Sequence, residues 1–396
     1  MLTIDKIYDA VRVLEDVVRH PQLIEAPRLS SEGKIFLKPE NLQLTGSFKV
    51  RGSAYKISKL TDEEKSHGVI ACSAGNHAQG VALAATKHGI KSVICLPASA
   101  PISKVEATKR YGAEVCLVDG VYDDAYAEAI RQRDEKGYTF IHPFDDEDVI
   151  AGQGTIAVEI LKEMPDADAI VVPIGGGGLV SGVAFAAKAI NPNIKVYGVQ
   201  AAGAPSMYNS IKDGKAETLS SVSTFADGIA VKAPGENTFR YCREFVDEIV
   251  TVTEDEIAAA ILHLIENQKL TAEGAGAVSV AAAMFGKIPV AGKNTVCIVS
   301  GGNIDVTILS RVIDRGLHKS GRKCTLLIEL IDKPGQLEAV SRIIAACGGN
   351  IVSVHYEQGE AVAVNGCFLR ISMETKSFEH INEIRSALVG EGFKLI

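Results

Sequence analysis

The stretch that decides the fold is Ala169-Ile-Val-Val-Pro-Ile-Gly-Gly-Gly-Gly-Leu-Val-Ser-Gly182, where a short apolar run meets four consecutive glycines. The uncharged region that it opens approaches the length of a membrane span, but Pro173 and the glycines divide it into a strand and a helix. Glycines let backbone amides face a ligand, and a helix N-terminus favours an anion. The pattern therefore predicts a phosphate-binding loop, which we favour over a tight turn with close strand–helix packing.

The phosphate is predicted to belong to a ligand smaller than a nucleotide. The spacing of the glycines departs from GxGxxG, and the region Tyr197–Gln200 lacks the acidic residue that holds a ribose. A nicotinamide oxidoreductase is therefore disfavoured. The chain also lacks GxxxxGK[ST], which disfavours a nucleoside triphosphate.

On both sides of this stretch, from about residue 34 to 320, short β-type runs alternate with helical patterns. Continuous apolar strands separated by helices are typical of parallel sheets covered on both faces, so the fold class is α/β. In such sheets, ligands bind beyond the carboxyl ends of the strands. The predicted strands are 35–38, 68–72, 92–96, 114–118, 169–172, 195–199 and 295–299, and the clearest helices are 76–88, 103–111 and 121–136.

The C-terminal part of the chain has a different pattern. The basic and polar segment 315–323 is predicted to be a linker. Residues 324–396 then predict the order β-α-β-β-α-β, which is the ferredoxin-like α+β arrangement. The predicted strands there are 324–330, 351–356, 366–373 and 392–396, and the helices are 336–347 and 378–388.

Composition predicts a cytoplasmic protein without a nucleic-acid or membrane partner. The chain has 396 residues, 46% hydrophobic and 23% charged, with a net charge of −8. None of its eight cysteines forms a CxxC pair, which indicates reduced core residues rather than disulfides or a zinc site. The N-terminus lacks a signal-peptide core.

A second motif, Thr45-Gly-Ser-Phe-Lys-Val-Arg-Gly52, places Lys49 among small residues at the start of a predicted helix. A lysine held there could lose its proton through desolvation and act as an imine-forming nucleophile. A solvated surface lysine is the alternative. The residues alone leave both interpretations open.

Two further motifs follow predicted strands. Ser73-Ala-Gly-Asn-His-Ala-Gln-Gly80 opens a helix and offers free amides to an anion; we favour His77 as a capping residue over a general base. Val299-Ser-Gly-Gly-Asn303 places a hydroxyl beside a glycine turn. No HExxH, EF-hand or GxSxG pattern occurs, and the acidic segment with His142 is interpreted as a polar helix cap, so no metal is predicted.

Together the four motifs resemble the fold-type II pyridoxal-phosphate enzymes, and most closely their threonine and serine dehydratases, over residues 5–318. The resemblance implies a catalytic domain, 1–320, of two parallel-sheet α/β subdomains. The small subdomain, about 52–147, is inserted in the large one. The cofactor implied is pyridoxal 5′-phosphate.

The resemblance also implies roles for individual residues. Lys49 is similar to the Schiff-base lysine, and Phe48 to the residue that packs on the cofactor ring. The implied donor to the 3′-oxygen is Asn76, and Ser300 the partner of the pyridine nitrogen. The implied phosphate loop is Gly175, Gly176, Gly177, Gly178 and Leu179; the carboxylate cradle is Ser73, Gly75, Asn76 and His77; Gly228 and Glu273 line the site.

By this resemblance, the chain is expected to convert L-threonine to 2-oxobutanoate and ammonia, and L-serine to pyruvate. Ala74 stands where serine-racemising relatives have an acid/base serine, which favours elimination. Gln200 stands where relatives with a divalent cation have glutamate, so no metal is expected there. The alternatives are a serine-preferring dehydratase, another β-elimination or β-replacement enzyme of this fold type, or an amino-acid-binding protein with a vestigial catalytic domain.

Residues 324–396 resemble an ACT domain through Asp332-Lys-Pro-Gly-Gln-Leu337. The resemblance implies allosteric control by an amino acid, isoleucine or valine, and pairing between subunits into a homodimer or homotetramer. A domain used only for assembly is the alternative. Both isoleucine biosynthesis and threonine catabolism are compatible with these expectations.

Overall fold

The computed structural model describes residues 1–357 and 365–396. The chain divides into two compact units, Met1–Asp305 and Val306–Ile396, which are described separately below. Among the described residues, no helix combines the length and the apolar character needed to cross a membrane.

Two sheets form the framework of the first unit, within residues 24–298. The strands are β1 (Ile24–Glu25), β2 (Lys34–Lys38), β3 (Val69–Cys72), β4 (Ser92–Pro97), β5 (Glu114–Val118), β6 (Thr139–Phe140), β7 (Ala169–Pro173), β8 (Lys195–Ala201), β9 (Glu248–Val252) and β10 (Asn294–Ile298). The larger sheet has the order β1-β2-β10-β7-β8-β9 and is parallel except for β1; the smaller has the order β5-β4-β3-β6 and is parallel throughout.

Helices cover both sheets, which confirms the predicted α/β class with two parallel-sheet parts. The smaller sheet lies inside the predicted insertion 52–147. The helices of this unit are α1 (Ile4–Leu14), α2 (Lys49–Ser58), α3 (Asp62–His67), α4 (Asn76–Lys87), α5 (Ile102–Arg110), α6 (Tyr122–Lys136), α7 (Glu147–Glu163), α8 (Gly178–Ile190), α9 (Ser206–Asp213), α10 (Glu236–Phe245), α11 (Glu254–His263) and α12 (Gly274–Met284).

A buried ion cluster holds α2 against α7. Arg51 is fully buried and donates to both carboxylate oxygens of Glu40, at 2.8 and 2.7 Å, and to both of Glu159, at 2.6 and 2.9 Å. Lys38, at the end of β2, donates to Glu159 at 2.6 Å. Since buried charges are tolerated only when paired, these contacts fix the start of α2 relative to β2 and α7.

The described part of the second unit has the predicted ferredoxin-like fold. Its elements are α13 (Val306–Lys319), β11 (Lys323–Ile331), α14 (Gln336–Ala346), β12 (Asn350–Glu357), β13 (Gly366–Glu374), α15 (Phe378–Gly390) and β14 (Lys394–Leu395). The antiparallel sheet has the order β12-β13-β11-β14. Buried residues alternate with more exposed ones along β11 and β13, so one face of the sheet forms the core of this unit.

The prediction of a linker over residues 315–323 is wrong for most of that segment, because residues 315–319 are helical. Helix α13 runs to Lys319, and the first unit ends at Asp305, before the predicted domain end at 320. The helix is amphipathic, because its partly or fully buried residues recur every three or four positions while its other face is exposed and polar. That buried face comprises Ile308, Leu309, Val312, Ile313, Gly316 and Leu317. The basic residues Arg315 and Lys319 therefore lie on the exposed side of the helix end, whereas Arg322 and Lys323 follow the helix.

Replacing Arg51 with methionine should lower the free energy of unfolding by about 3–5 kcal/mol, because Glu40 would keep its burial and lose its counter-ion. Chemical denaturation of purified protein measures the change. The control is Arg131→Met on α6, where the ion pairs with Glu128 and Glu135 are exposed. That variant should unfold close to wild type. Equal stability of the two variants would contradict the proposed importance of the buried cluster.

Candidate active site

One cavity of about 770 Å³ in the first unit collects the residues singled out from the sequence. Its walls come from loops that follow β3, β6, β7 and β10, so the carboxyl ends of strands from both sheets face it. Every predicted site residue borders it: Phe48, Lys49, Ser73, Gly75, Asn76, His77, Gly175, Gly176, Gly177, Gly178, Leu179, Gly228, Glu273 and Ser300.

Lys49 is the first residue of α2, and its amine is enclosed at the cavity wall. The Nζ atom donates to the backbone oxygen of Pro143 at 2.7 Å and lies 5.4 Å from the centre of the Phe48 ring. Burial lowers the pKa of Lys49 from 10.5 to about 8, although Glu273 opposes the shift. A substantial neutral fraction near pH 8 makes this lysine a usable nucleophile and base.

The loop that carries Lys49 is tied to the loop after β10. Ser47 and Gly301 form a β-bridge, and the backbone amide of Phe48 donates to the backbone oxygen of Ser300 at 3.1 Å. The Ser300 hydroxyl is buried and donates to the Ala275 oxygen at 3.3 Å. Lys49 and Ser300 therefore reach the same cavity from two loops joined by backbone hydrogen bonds.

The segment Ser73–His77 forms the turn between β3 and α4. The Ser73 hydroxyl accepts from the amide of Gly75 at 3.1 Å, and Gly75 caps α4 without a side chain, so the first amides of the helix have no side-chain cap. Such amides are donors suited to an anion. Ala74 also borders the cavity.

His77 does not cap its own helix, which corrects the favoured interpretation of this residue. It lies in the first turn of α4, and its Nε2 contacts the Ile141 oxygen at 2.8 Å, which anchors the chain after β6. Burial, together with nearby Lys49, lowers the pKa of His77 to about 3. The imidazole is therefore neutral at pH 7, and its weak basicity makes it a poor proton acceptor.

The glycine loop joins β7 to α8 with little room for side chains. A Cβ on Gly176 would lie 2.5 Å from the Phe144 ring, and one on Gly178 would lie 2.8 Å from the Phe144 backbone oxygen. Gly177 has φ +99° and caps α8 without a side chain. The Thr238 hydroxyl donates to the Gly176 oxygen at 2.6 Å, which holds the loop in place. The uncapped amides of α8 and the bare loop form a cradle that suits a phosphate.

Half-buried Asn76 and buried Glu273 form a hydrogen-bonded pair on the cavity wall. The Asn76 Nδ2 atom donates to Glu273 Oε1 at 2.6 Å, and that oxygen lies 3.4 Å from the place a Cβ on Gly228 would take. Burial, followed by the negative charge of Asp227, raises the pKa of Glu273 to about 7. Glu273 is thus a carboxyl group that changes its charge near neutral pH.

The sequence motifs left three structural partners of the site unassigned. Asn303 hydrogen-bonds to Asn76, Pro143 accepts from the Lys49 amine, and Phe144 fills the space above the glycine loop. Asn303 belongs to the motif Val299–Asn303, so the sequence already offered its carboxamide side chain as a hydrogen-bonding group. The roles of Pro143 and Phe144 depend on contacts between distant segments, which the motifs do not encode.

The polar segment with His142 forms local caps. Asp146 caps α7 by accepting from the amides of Asp148 and Val149, and His142 Nδ1 accepts from the amides of Phe144 and Asp145. Gln200 is buried and accepts from the Tyr208 amide at 2.8 Å. In the part of the chain that the structure describes, no group of three or more His, Cys, Asp or Glu residues could hold a metal ion.

Comparison with known proteins identifies relatives of the whole chain. The model of the family described as pyridoxal-phosphate dependent enzyme matches residues 14–301. The L-threonine ammonia-lyase of Thermotoga maritima is 47% identical over 398 aligned positions, which cover 100% of this chain and 99% of that protein.

Two solved structures are also similar to the chain. The processed form of threonine deaminase isoform 2 from Solanum lycopersicum has a TM-score of 0.74 and 40% identity, and the match covers 78% of this chain and 88% of that one. Maize serine racemase has a TM-score of 0.75 and 37% identity, with coverage of 80% and 98%.

The Lys49 amine should react with an acylating reagent at a lower pH than ordinary lysines do. Labelling of the cofactor-free protein should rise through pH about 8, because protonated amine is unreactive and burial lowers the pKa of Lys49 to that value. Quantitative mass spectrometry of the Lys49 peptide gives the profile, and the peptide of exposed Lys212 serves as an internal reference. A profile that begins to rise only near pH 10 would contradict the assigned desolvation.

Proposed function

The chain belongs to the family of pyridoxal-phosphate dependent enzymes, and from this premise we propose that it deaminates L-threonine to 2-oxobutanoate and ammonia, and L-serine to pyruvate. The observation that carries the proposal is the convergence of Lys49, Asn76, the glycine loop and Ser300 on one cavity. The 47% identity with an L-threonine ammonia-lyase, over the full length of both chains, supports threonine as the substrate.

The residues around the cavity fit pyridoxal phosphate. The enclosed amine of Lys49 suits a covalent bond to the aldehyde carbon, and the uncapped amides of the glycine loop suit the phosphate. Phe48 offers an aromatic surface for the ring. Asn76 and Ser300 offer an amide and a hydroxyl for the ring oxygen and the ring nitrogen.

When bound, the cofactor supplies an electron sink for the negative charge left after removal of the α-proton. The protein supplies the base and the orientation. Lys49 accepts the α-proton, because its lowered pKa leaves part of the amine neutral near pH 8. His77 is not the base, since its neutral imidazole has a pKa of about 3.

Two neutral residues direct the outcome towards elimination. Ser300 offers a hydroxyl rather than a charged partner, so it would not keep the nitrogen of a bound cofactor ring protonated, which would make that ring a weaker electron sink. Loss of the β-hydroxyl then competes well with return of the proton to the α-carbon. Ala74 has no side chain that could deliver a proton from the opposite face, which disfavours the racemisation named for the maize relative.

The substrate carboxylate is assigned to the turn Ser73–His77. The uncapped amides at the N-terminus of α4 and the Ser73 hydroxyl can donate to it, and the positive end of the helix dipole favours its charge. The substrate is then oriented between α4 and Lys49. This arrangement supports an α-amino acid as the substrate class.

Replacing Lys49 with alanine should lower the rate of keto-acid formation from L-threonine by roughly a thousand-fold or more, because base and covalent anchor are both lost. The assay uses the full chain with added pyridoxal phosphate. The matched control is Lys212→Ala, an exposed lysine on α9, which should keep the wild-type rate.

The same assay with L-threonine, L-serine and homoserine phosphate separates the candidate reactions. A higher specificity constant for serine would replace our proposal with a serine-preferring dehydratase. Turnover of homoserine phosphate alone would indicate threonine synthase chemistry. An inactive wild-type protein that binds the cofactor would favour a vestigial catalytic domain.

For the second unit we propose an ACT regulatory domain that binds isoleucine or valine and contributes to a homodimer or homotetramer. Its ferredoxin-like fold and the turn Asp332–Leu337, in which Gly335 caps α14 with φ +89°, support this proposal. A cytoplasmic location, in agreement with the eight free cysteines, is part of the same proposal.

Titration of the full chain with L-isoleucine and L-valine should give saturable heat for at least one of them. The rate of threonine deamination should change over the same concentration range, because binding and activity are linked. D-Isoleucine is the stereochemical control and should give no saturable heat. Absence of heat with both L-amino acids would leave assembly as the role of the unit.

A further inference from the structure

Asn303 connects three loops that border the cavity. It lies in the turn after β10, and its Nδ2 atom donates to the backbone oxygen of Thr45 at 2.7 Å and to Asn76 Oδ1 at 2.7 Å. A carboxamide nitrogen carries two hydrogens, so these two contacts use its full donor capacity. The turn after β10, the loop before Lys49 and the start of α4 are thereby joined through one side chain.

The Asn303 amide has little freedom to turn. The backbone oxygen of Thr45 can only accept, so it keeps the Asn303 nitrogen turned towards it, and the Asn303 Oδ1 atom then lies beside Gly46, where a side chain would clash with it. The Gly46 oxygen accepts from the amide of Gly302 at 2.9 Å, which holds the two loops together on the same side. The direction of the hydrogen bond from Asn303 to Asn76 is therefore set by the surrounding backbone.

The contact with Asn303 also determines how Asn76 is oriented. Because Asn76 Oδ1 accepts from Asn303, the Asn76 nitrogen is at the other end of the amide, where it donates to Glu273 Oε1 at 2.6 Å. One hydrogen of that nitrogen remains for a ligand. A chain of hydrogen bonds polarises its members, so the remaining N–H is a stronger donor.

We propose that Asn303 is a positioning residue that makes Asn76 a hydrogen-bond donor, rather than an acceptor, towards the ring oxygen of the bound cofactor. The inference rests on the proposed function, because Asn76 is the residue assigned to that oxygen. Without Asn303, the Asn76 amide keeps only its contact with Glu273 Oε1 and loses the donor that faces its oxygen, so it can turn and present that oxygen to the cofactor. Two acceptors would then face each other, and the ring oxygen would be forced to keep its proton.

The test uses Asn303→Asp and Asn303→Ala in the full chain. Aspartate has nearly the same shape but only accepts when ionised, so it draws the Asn76 nitrogen towards itself and reverses the amide. The absorption band of the bound cofactor reports the protonation of the ring oxygen and should shift in Asn303→Asp. Cofactor affinity should fall by about ten-fold, as expected for one lost hydrogen bond to a charged group.

The matched control is Asn191→Asp. Asn191 uses its oxygen to accept from the Asn193 amide at 3.1 Å, and aspartate preserves that contact, so this variant should keep the wild-type band and affinity. Asn303→Ala gives the answer if the aspartate variant does not fold, because alanine frees Asn76 without adding charge.

A shifted band in a folded Asn303 variant supports the positioning role. An unshifted band overturns it, even when affinity falls, because a purely structural role would loosen the loops without changing the ring oxygen. The spectra need no amino acid. A protein that fails to deaminate threonine but shows the shift would therefore refute the proposed reaction and leave the role of Asn303 intact.

Discussion

A fully buried guanidinium determines where Lys49 lies. Desolvation of Arg51 is costly, and it is offset only because Glu40 and Glu159 each accept from it through both carboxylate oxygens. The geometry of these fork-like contacts leaves α2 one orientation between β2 and α7. Lys49 lies two residues earlier, at the first position of α2. The placement of the reactive amine thus follows from an ion cluster outside the cavity.

Desolvation has the opposite result inside the cavity, where the charged groups lack such complete pairing. The amine of Lys49 donates to a backbone oxygen rather than to a carboxylate, and its pKa falls to about 8, while the pKa of Glu273 rises to about 7. Burial disfavours the charged form of each group, so both titrate near neutral pH. Burial acts on both cations. At Arg51 two carboxylates compensate for the lost solvation, and the charge is structural; at Lys49 no carboxylate in the described part of the chain accepts from the amine, and its pKa shifts towards the range that the proposed reaction needs.

The sequence predicted those features that depend on local patterns. The strand Glu114–Val118 and the break between β7 and α8 are visible as apolar runs and glycines. The four motifs converge because the carboxyl ends of parallel strands from both sheets face one cavity. Strands β1 and β6 have two residues each, too few for a period. The contacts of Arg51 and Asn303 join residues that are distant in the chain, and no local pattern encodes them. The helical character of 315–319 was hidden because its exposed face carries the basic residues.

The similarity to both a threonine deaminase and a serine racemase shows that this fold alone does not select the reaction. The choice depends on which groups can move a proton on each side of the substrate. We propose that Lys49 serves one side of the substrate and that the other side meets Ala74; both residues line the same cavity. In the proposed reaction, the methyl group of Ala74 cannot deliver a proton to the opposite face, so the charge at the α-carbon is relieved either by return of the proton from Lys49 or by loss of the β-hydroxyl, and racemisation is disfavoured. The missing hydroxyl at Ala74 therefore supports the proposed elimination as much as the presence of Lys49 does.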